Sequence, residues 1–140
     1  VEPVQITHDG QSFTALPAEQ REFEDALAVL RRADFAGAAS AFSAFLGKYP
    51  SSGYLPSALY WLGNAQYATK AYKEALESHG RLAGRFPQHM RTPEAMLAMA
   101  NTHTELKDPR ASRRTLEDLV KAHPQSEAAS VARERLSRMR

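Results

Sequence analysis

The sequence predicts an all-α right-handed superhelix built from three helix pairs and closed by a C-terminal capping helix. Three observations carry that prediction. Pro50, Pro87 and Pro124 stand 37 residues apart, after Gly47-Lys48-Tyr49, Gly84-Arg85-Phe86 and Lys121-Ala122-His123. Twelve residues before each Pro stands a small residue, Ala38, Ala75 or Ser112. Fifteen before it stands Phe35, Tyr72 or Pro109, where one helix stops and the next starts. A fixed period of this size, filled by two helical patterns, is the mark of stacked helix pairs. Such an array builds a concave surface for another molecule.

Residues 1–17 show no helical period and hold Pro3, Gly10 and Pro17, with a weak β-like stretch over Val4-Gln5-Ile6-Thr7. They are expected as a linker or an arm that pairs loosely with the body. The repeat domain is expected over 18–140, with repeats at about 18–50, 56–87 and 93–124. Its first helix spans about 18–32, with Phe23, Leu27 and Leu30 on one side. Asp34 can cap the second, over about 35–48, which turns Ala38, Phe42, Phe45 and Leu46 inward. Pro56 and Pro93 suit the first turns of helices over about 56–69 and 93–106, where a missing N–H costs nothing. Thr92 and Asp108 are expected as N-caps. Helices over about 72–85 and 109–122 complete the second and third pairs. Gly80 and Gly84 make the 72–85 helix the softest, at about 1 kcal/mol each relative to Ala. A last amphipathic helix, about 126–139, puts Ala128, Val131, Ala132, Leu136 and Met139 on one face. Arg133, Glu134, Arg135 and Arg138 fall elsewhere, as the open end of an array requires.

The run Leu59-Tyr60-Trp61-Leu62-Gly63-Asn64-Ala65-Gln66-Tyr67, followed by Tyr72, Ala75 and Pro87, resembles a tetratricopeptide (TPR) repeat. In that frame Gly63 and Ala75 are the small residues at which the two helices of a pair cross. Ala26, Ala38 and Pro50 fit it too, as do Ala100, Ser112 and Pro124. Phe45, Leu82 and Leu119 depart from the small residue usual late in the second helix. A narrower resemblance rests on Lys48 to Asn64, above all Tyr-Leu-Pro-Ser-Ala-Leu-Tyr-Trp-Leu-Gly, and on Lys121 to Ala129. These are similar to the C-terminal TPR domain of the periplasmic Tol-Pal-associated cell division coordinators (YbgF/CpoB type), over about residues 20–140. The resemblance implies a periplasmic adaptor that binds the TolA protein and links outer-membrane constriction to septal wall synthesis. It also implies an oligomerising coiled coil upstream, so that the isolated domain is expected as a monomer. Outer-membrane lipoproteins of the β-barrel assembly machinery share similar Tyr-Pro-ended repeats and are the rival within the fold. A structural spacer with no groove ligand is the other alternative.

Composition narrows the classes further. A formal charge of +2 gives no general pull toward nucleic acid or anionic membrane. With no cysteine, disulfides and thiolate metal sites are excluded. No apolar run approaches the roughly 18 residues of a membrane helix. A chain that starts at Val1 without a signal peptide is read as a processed or excised piece. His8, His79, His89, His103 and His123 lack metal-ligand spacing, and no nucleophile elbow or phosphate loop is present, so no enzyme, metal or cofactor is expected. His79 is expected as a partly buried core residue. Arg110, Arg113, Arg114 and the Arg133, Arg135, Arg138, Arg140 tail lack interleaved aromatics and read as solvated helix faces, not a nucleic-acid site.

The first helices of the pairs should line the concave groove. Partner-binding positions are then Phe23, Leu27 and Leu30, then Tyr60, Asn64 and Tyr67, then Leu97 and Asn101. Asn64 and Asn101, one period apart, can each bond a peptide backbone, or be tolerated on an exposed face. Tyr60 and Tyr67 can hold apolar side chains or belong to the core. Trp61 reads as packing. A carboxylate clamp needs a basic residue where Tyr60 or Phe23 stands, and with one Arg and two Glu in the groove an acidic C-terminal tail is a poor ligand.

Overall fold

The computed structural model describes residues 1–139. Two strands, β1 (Val4–His8) and β2 (Gln11–Ala15), precede seven helices: α1 (Pro17–Arg31), α2 (Phe35–Lys48), α3 (Leu55–Ala68), α4 (Tyr72–Arg85), α5 (Thr92–Glu105), α6 (Pro109–Ala122) and α7 (Glu127–Arg138). Each helix packs on the next, and α5 also touches α3 and α7, so α3, α5 and α7 share one side of the array. The architecture is the expected all-α superhelix of three helix pairs with a capping helix.

The arm at residues 1–17 is an antiparallel hairpin seated on the first two pairs. Asp9 and Gly10 form its turn with φ of 47° and 74°, the two-residue geometry that Asp-Gly favours. The register pairs Ile6 with Phe13 and Val4 with Ala15. Ile6 and Ala15 are buried with Phe23, Phe42, Phe45 and Tyr54, and Phe13 packs against the same cluster. Each of those fully buried phenylalanines contributes about 1.5–3 kcal/mol.

Within each pair the chain reverses through a non-glycine residue in the left-handed region: Ala33, Lys70 and Lys107, with φ of 64°, 66° and 63°. The amides of Ala33 and Asp34 reach back to the carbonyls of Leu30 and Val29, and the pattern recurs at Lys70-Ala71 and Lys107-Asp108. These are Schellman ends. Asp34 and Asp108 cap α2 and α6 through the amides of Gly37 (2.9 Å) and Ala111 (3.1 Å), as expected. Thr92 differs from expectation. It is the first residue of α5, and its hydroxyl donates to the Phe86 carbonyl (2.5 Å), which fixes the loop and leaves the cap position to Arg91.

Ala38 and Ala75 are fully buried and Ser112 nearly so, as close helix crossings demand. Gly63 shows why. A Cβ built there would lie 2.4 Å from the His79 ring, which fills the space above it.

Candidate binding groove

Helices α3, α5 and α7 wall a concave face, and the chain places part of the expected set together there. Tyr67 and Asn101 border two adjoining hollows. One, of about 230 Å³, is completed by Asn64, His79 and Ala98. The other, of about 330 Å³, is completed by Thr104, Glu105, Ser112, Leu116, Arg135, Arg138 and Met139. Asn64 and Tyr67, and Asn64 and Asn101, share a face because of helical spacing within α3 and one repeat between α3 and α5.

Asn64 Oδ1 lies 3.0 Å from His79 Nε2. His79 itself is fully buried, and burial pushes its imidazole down to about 4, with the Tyr60 carbonyl acting the other way. The neutral ring is therefore the form that supports Asn64 at ordinary pH. Asn101 Oδ1 accepts from Arg135 Nη1. Burial and the charge of Glu105 push the Tyr67 phenol up, and Arg135 opposes them. Tyr67 stays a protonated donor beside both amides.

The remaining expected positions fall elsewhere. Phe23 is only 1% exposed, stacked on Tyr54 at 4.1 Å with His8 edge-on at 5.1 Å, so it is core under the hairpin. Leu27 lines a separate hollow of about 300 Å³ with an edge of Phe23 and with His8, Glu24, Arg31 and Tyr54, and Leu30 packs against the first core cluster. Leu97 is half-buried against the α6–α7 cluster. Tyr60 is edge-on to Trp61 at 4.9 Å, and the Arg91 guanidinium lies 5.2 Å from its ring and 5.0 Å from that of Trp61. Ser57, one turn before Tyr60, is buried and donates to Asp9 (2.5 Å).

Arg135 is the main addition. It was expected on the outer charged face of the last helix, yet it enters the groove. The α6–α7 connection, 123–126, is shorter than the 86–91 connection before α5, so the 37-residue register stops there. Counting 37 from Asn101 gives Arg138; the residue facing Asn101 is Arg135. Arg138, at the rim of the same hollow, pairs with Glu134 (3.2 Å); Arg113 on α6 lies 3.8 Å from Glu117 and donates to the Met139 carbonyl, and Arg133 donates to the Pro124 carbonyl. Arg140 lies outside the described residues. Among the described residues, no three His, Asp or Glu side chains gather as a metal site, and no helix is long and apolar enough to cross a membrane. The groove offers amides, a phenol and a guanidinium as hydrogen-bonding groups.

The fold is that of solved TPR domains. The OM64 TPR domain of Arabidopsis superposes with a TM-score of 0.71 at 14% identity, covering 88% of this chain and 97% of that one. The Sgt2 TPR domain of Aspergillus fumigatus gives 0.71 at 17% identity, covering 89% and 80%. In sequence, the cell division coordinator CpoB of Pseudomonas putida is 42% identical over 60 residues. That stretch covers 42% of this chain and 22% of that protein. The profile of the YfiO family, described as outer membrane lipoprotein, matches residues 17–140. With seven helices in TPR arrangement and a profile match from the start of α1 to the last residue, the chain belongs to the YfiO family of TPR proteins.

Proposed function

We propose that this domain is a periplasmic protein-binding adaptor of the bacterial cell envelope, acting in the Tol-Pal system during cell division. Its groove between α3, α5 and α7 takes a helical segment of TolA, and the adaptor couples outer-membrane constriction to septal peptidoglycan synthesis, with a septal peptidoglycan synthase as a second partner. The carrying observation is the pair of adjoining hollows that bring Asn64, Tyr67 and Asn101 to one concave face. The likeness to a cell division coordinator supports the choice of system. The domain alone is a monomer in this reading, and oligomerisation belongs to a coiled coil upstream.

The YfiO profile match favours a second reading, a scaffold in an outer-membrane β-barrel assembly lipoprotein. Titration calorimetry of the domain with the TolA segment separates the two. Heat of binding is expected at micromolar concentration, with Tyr67→Ala weakening it more than Arg133→Ala, because buried aromatic anchors outweigh rim charges. An absence of heat at high micromolar concentration moves the assignment to the assembly scaffold. Full retention by a folded Tyr60→Ala, Asn64→Ala, Asn101→Ala triple variant removes the groove from the interaction.

A further inference from the structure

We infer that the outer edge of β1 is a docking surface that takes an extended, uncharged segment of a partner protein as a third strand, antiparallel to it. It stands apart from the groove reading, because recognition here is by backbone and not by the side chains of α3, α5 and α7. The Asp9-Gly10 turn closes on the facing pair His8 and Gln11. Hydrogen-bonded pairs then alternate along the ribbon: His8 with Gln11, Ile6 with Phe13, Val4 with Ala15. Gln5 and Thr7 therefore turn their N–H and C=O groups away from β2. Both residues are exposed, and outside the ladder no backbone hydrogen bond among the described residues reaches them. Pro3, with no N–H, bounds this open row on one side and the turn bounds it on the other.

The edge is rigid and unguarded. Two short strands are marginal alone, but Ile6 and Ala15 are buried, and Arg91 and Ser57 hold Asp9 at the turn. The edge is thus ordered before a partner arrives, which removes that cost from binding. Unused edges are blunted by Lys, by bulges or by a covering element. Neither strand holds Lys, Arg, Asp or Glu, and the register is unbroken from Val4 to His8. The β2 edge is flanked: Phe13 lies against Gly53, and Thr14 shares a hollow with Glu19, Tyr49 and Ser52. The free side is that of β1. The pleat sets the chemistry of the occupant. Positions opposite Gln5 and Thr7 lie on the outer polar face and suit neutral β-branched residues such as Thr. The position opposite Ile6 lies on the body side and suits Val or Ile. A charged segment finds no countercharge between Val4 and Thr7, and a helix has no backbone groups to spare for the row.

The probe is Ser-Thr-Val-Thr-Ser with both ends blocked, together with two doubly N-methylated forms. One is methylated at both Thr nitrogens, the other at the Val and C-terminal Ser nitrogens. Added at millimolar concentration to the whole isotope-labelled chain, the parent peptide should shift the Gln5 and Thr7 amide resonances and slow their exchange with water. The resonances of Asn64 and Asn101 should stay in place. One methylated form should bind about tenfold more weakly than the other, because only alternate N–H groups face β1. Thr7→Pro removes an edge donor that the hairpin does not use, and it should weaken the parent peptide too. Circular dichroism and protease resistance of residues 1–15 check that this variant keeps its hairpin; where it does not, the methylated pair on the unaltered chain decides. Equal weakening by both methylated forms, or shifts confined to α3, α5 and α7, overturns the proposal. No shift at Gln5 and Thr7 at millimolar peptide overturns it as well. A dimer in sedimentation equilibrium that protects these two amides without peptide does the same, and gives the edge to a second copy of the chain.

Discussion

His79 occupies the space that any side chain at residue 63 would need, and it holds Asn64 from below. Two expectations follow at this scale. Gly63→Ala must displace a fully buried ring, which costs on the order of 1–3 kcal/mol as overpacking and releases Asn64. An unchanged urea midpoint for that variant would show that the crossing is looser than this packing requires. The second concerns pH. His79 titrates at about 4 in the folded chain and near 6.5 when unfolded, so between those values the unfolded state binds the extra proton. Stability is therefore full above about pH 6.5 and falls as pH drops toward 4. The loss is on the order of 2 kcal/mol by pH 5. Burial also lowers His89, which adds in the same sense. Urea melts at pH 7.5 and pH 5 check this: His79→Gln should flatten much of the dependence, and an equal slope in the variant rejects the assignment. The sequence marked His79 as a partly buried core residue, and it is fully buried. Its support of Asn64 was not legible, because fifteen residues separate the two and only the crossing of α3 and α4 joins them.

The helices themselves were legible because period, proline and small residues agree, and each kind of mark has its own physical cause. Proline starts α3, α5 and α6 where no N–H is needed; Asp34 and Asp108 cap; small residues let axes approach. The ends inside each pair were harder to read, since Ala33, Lys70 and Lys107 take a conformation that sequence rules assign to glycine. The backbone bonds of the Schellman end impose it regardless of the side chain. That strain suggests a direct test. Ala33→Gly and Lys107→Gly remove the Cβ clash but loosen the unfolded chain, and the first effect, about 1–2 kcal/mol, exceeds the second, about 0.4–1 kcal/mol. Each should raise the melting midpoint slightly, whereas glycine at the neighbouring helical residue Arg31 should lower it. A lower midpoint for both turn variants would mean that the left-handed residues are not strained. The register failed only at α7, where a shortened connection turned Arg135 from the outer face into the groove.

Across the whole molecule the hairpin acts as a clasp, and its latch is far from it in sequence. Asp9, with a side chain 9% exposed, receives Arg91 Nε and Nη2 at 3.1 Å each and the Ser57 hydroxyl at 2.5 Å. Arg91 lies over Tyr60 and Trp61, so one turn residue ties β1 to the start of α3 and to the approach of α5. The sequence showed only a weak strand over Val4-Gln5-Ile6-Thr7, because two five-residue strands are marginal without the body they cover. Burial pushes the Asp9 carboxyl up, but the hydrogen bonds from Arg91 and Ser57 and the Arg91 charge outweigh it and leave it lowered. The latch therefore contributes fully above the ordinary carboxylate range and fails only as pH falls through its depressed value, outside the window in which His79 acts. At pH 7, Arg91→Ala and Asp9→Asn should each destabilise the domain. The double variant should lose less than their sum, with a coupling on the order of 1–3 kcal/mol. Protease cutting within residues 1–15 should rise in all three while helical dichroism stays intact. Ser57 lies in the first turn of α3 and Arg91 just before α5, so the latch joins the starts of two helices that wall the groove. Loosening it should weaken groove binding with every lining residue in place. Additive stabilities together with unchanged binding would reduce the hairpin to a passive cover over Phe23 and Tyr54.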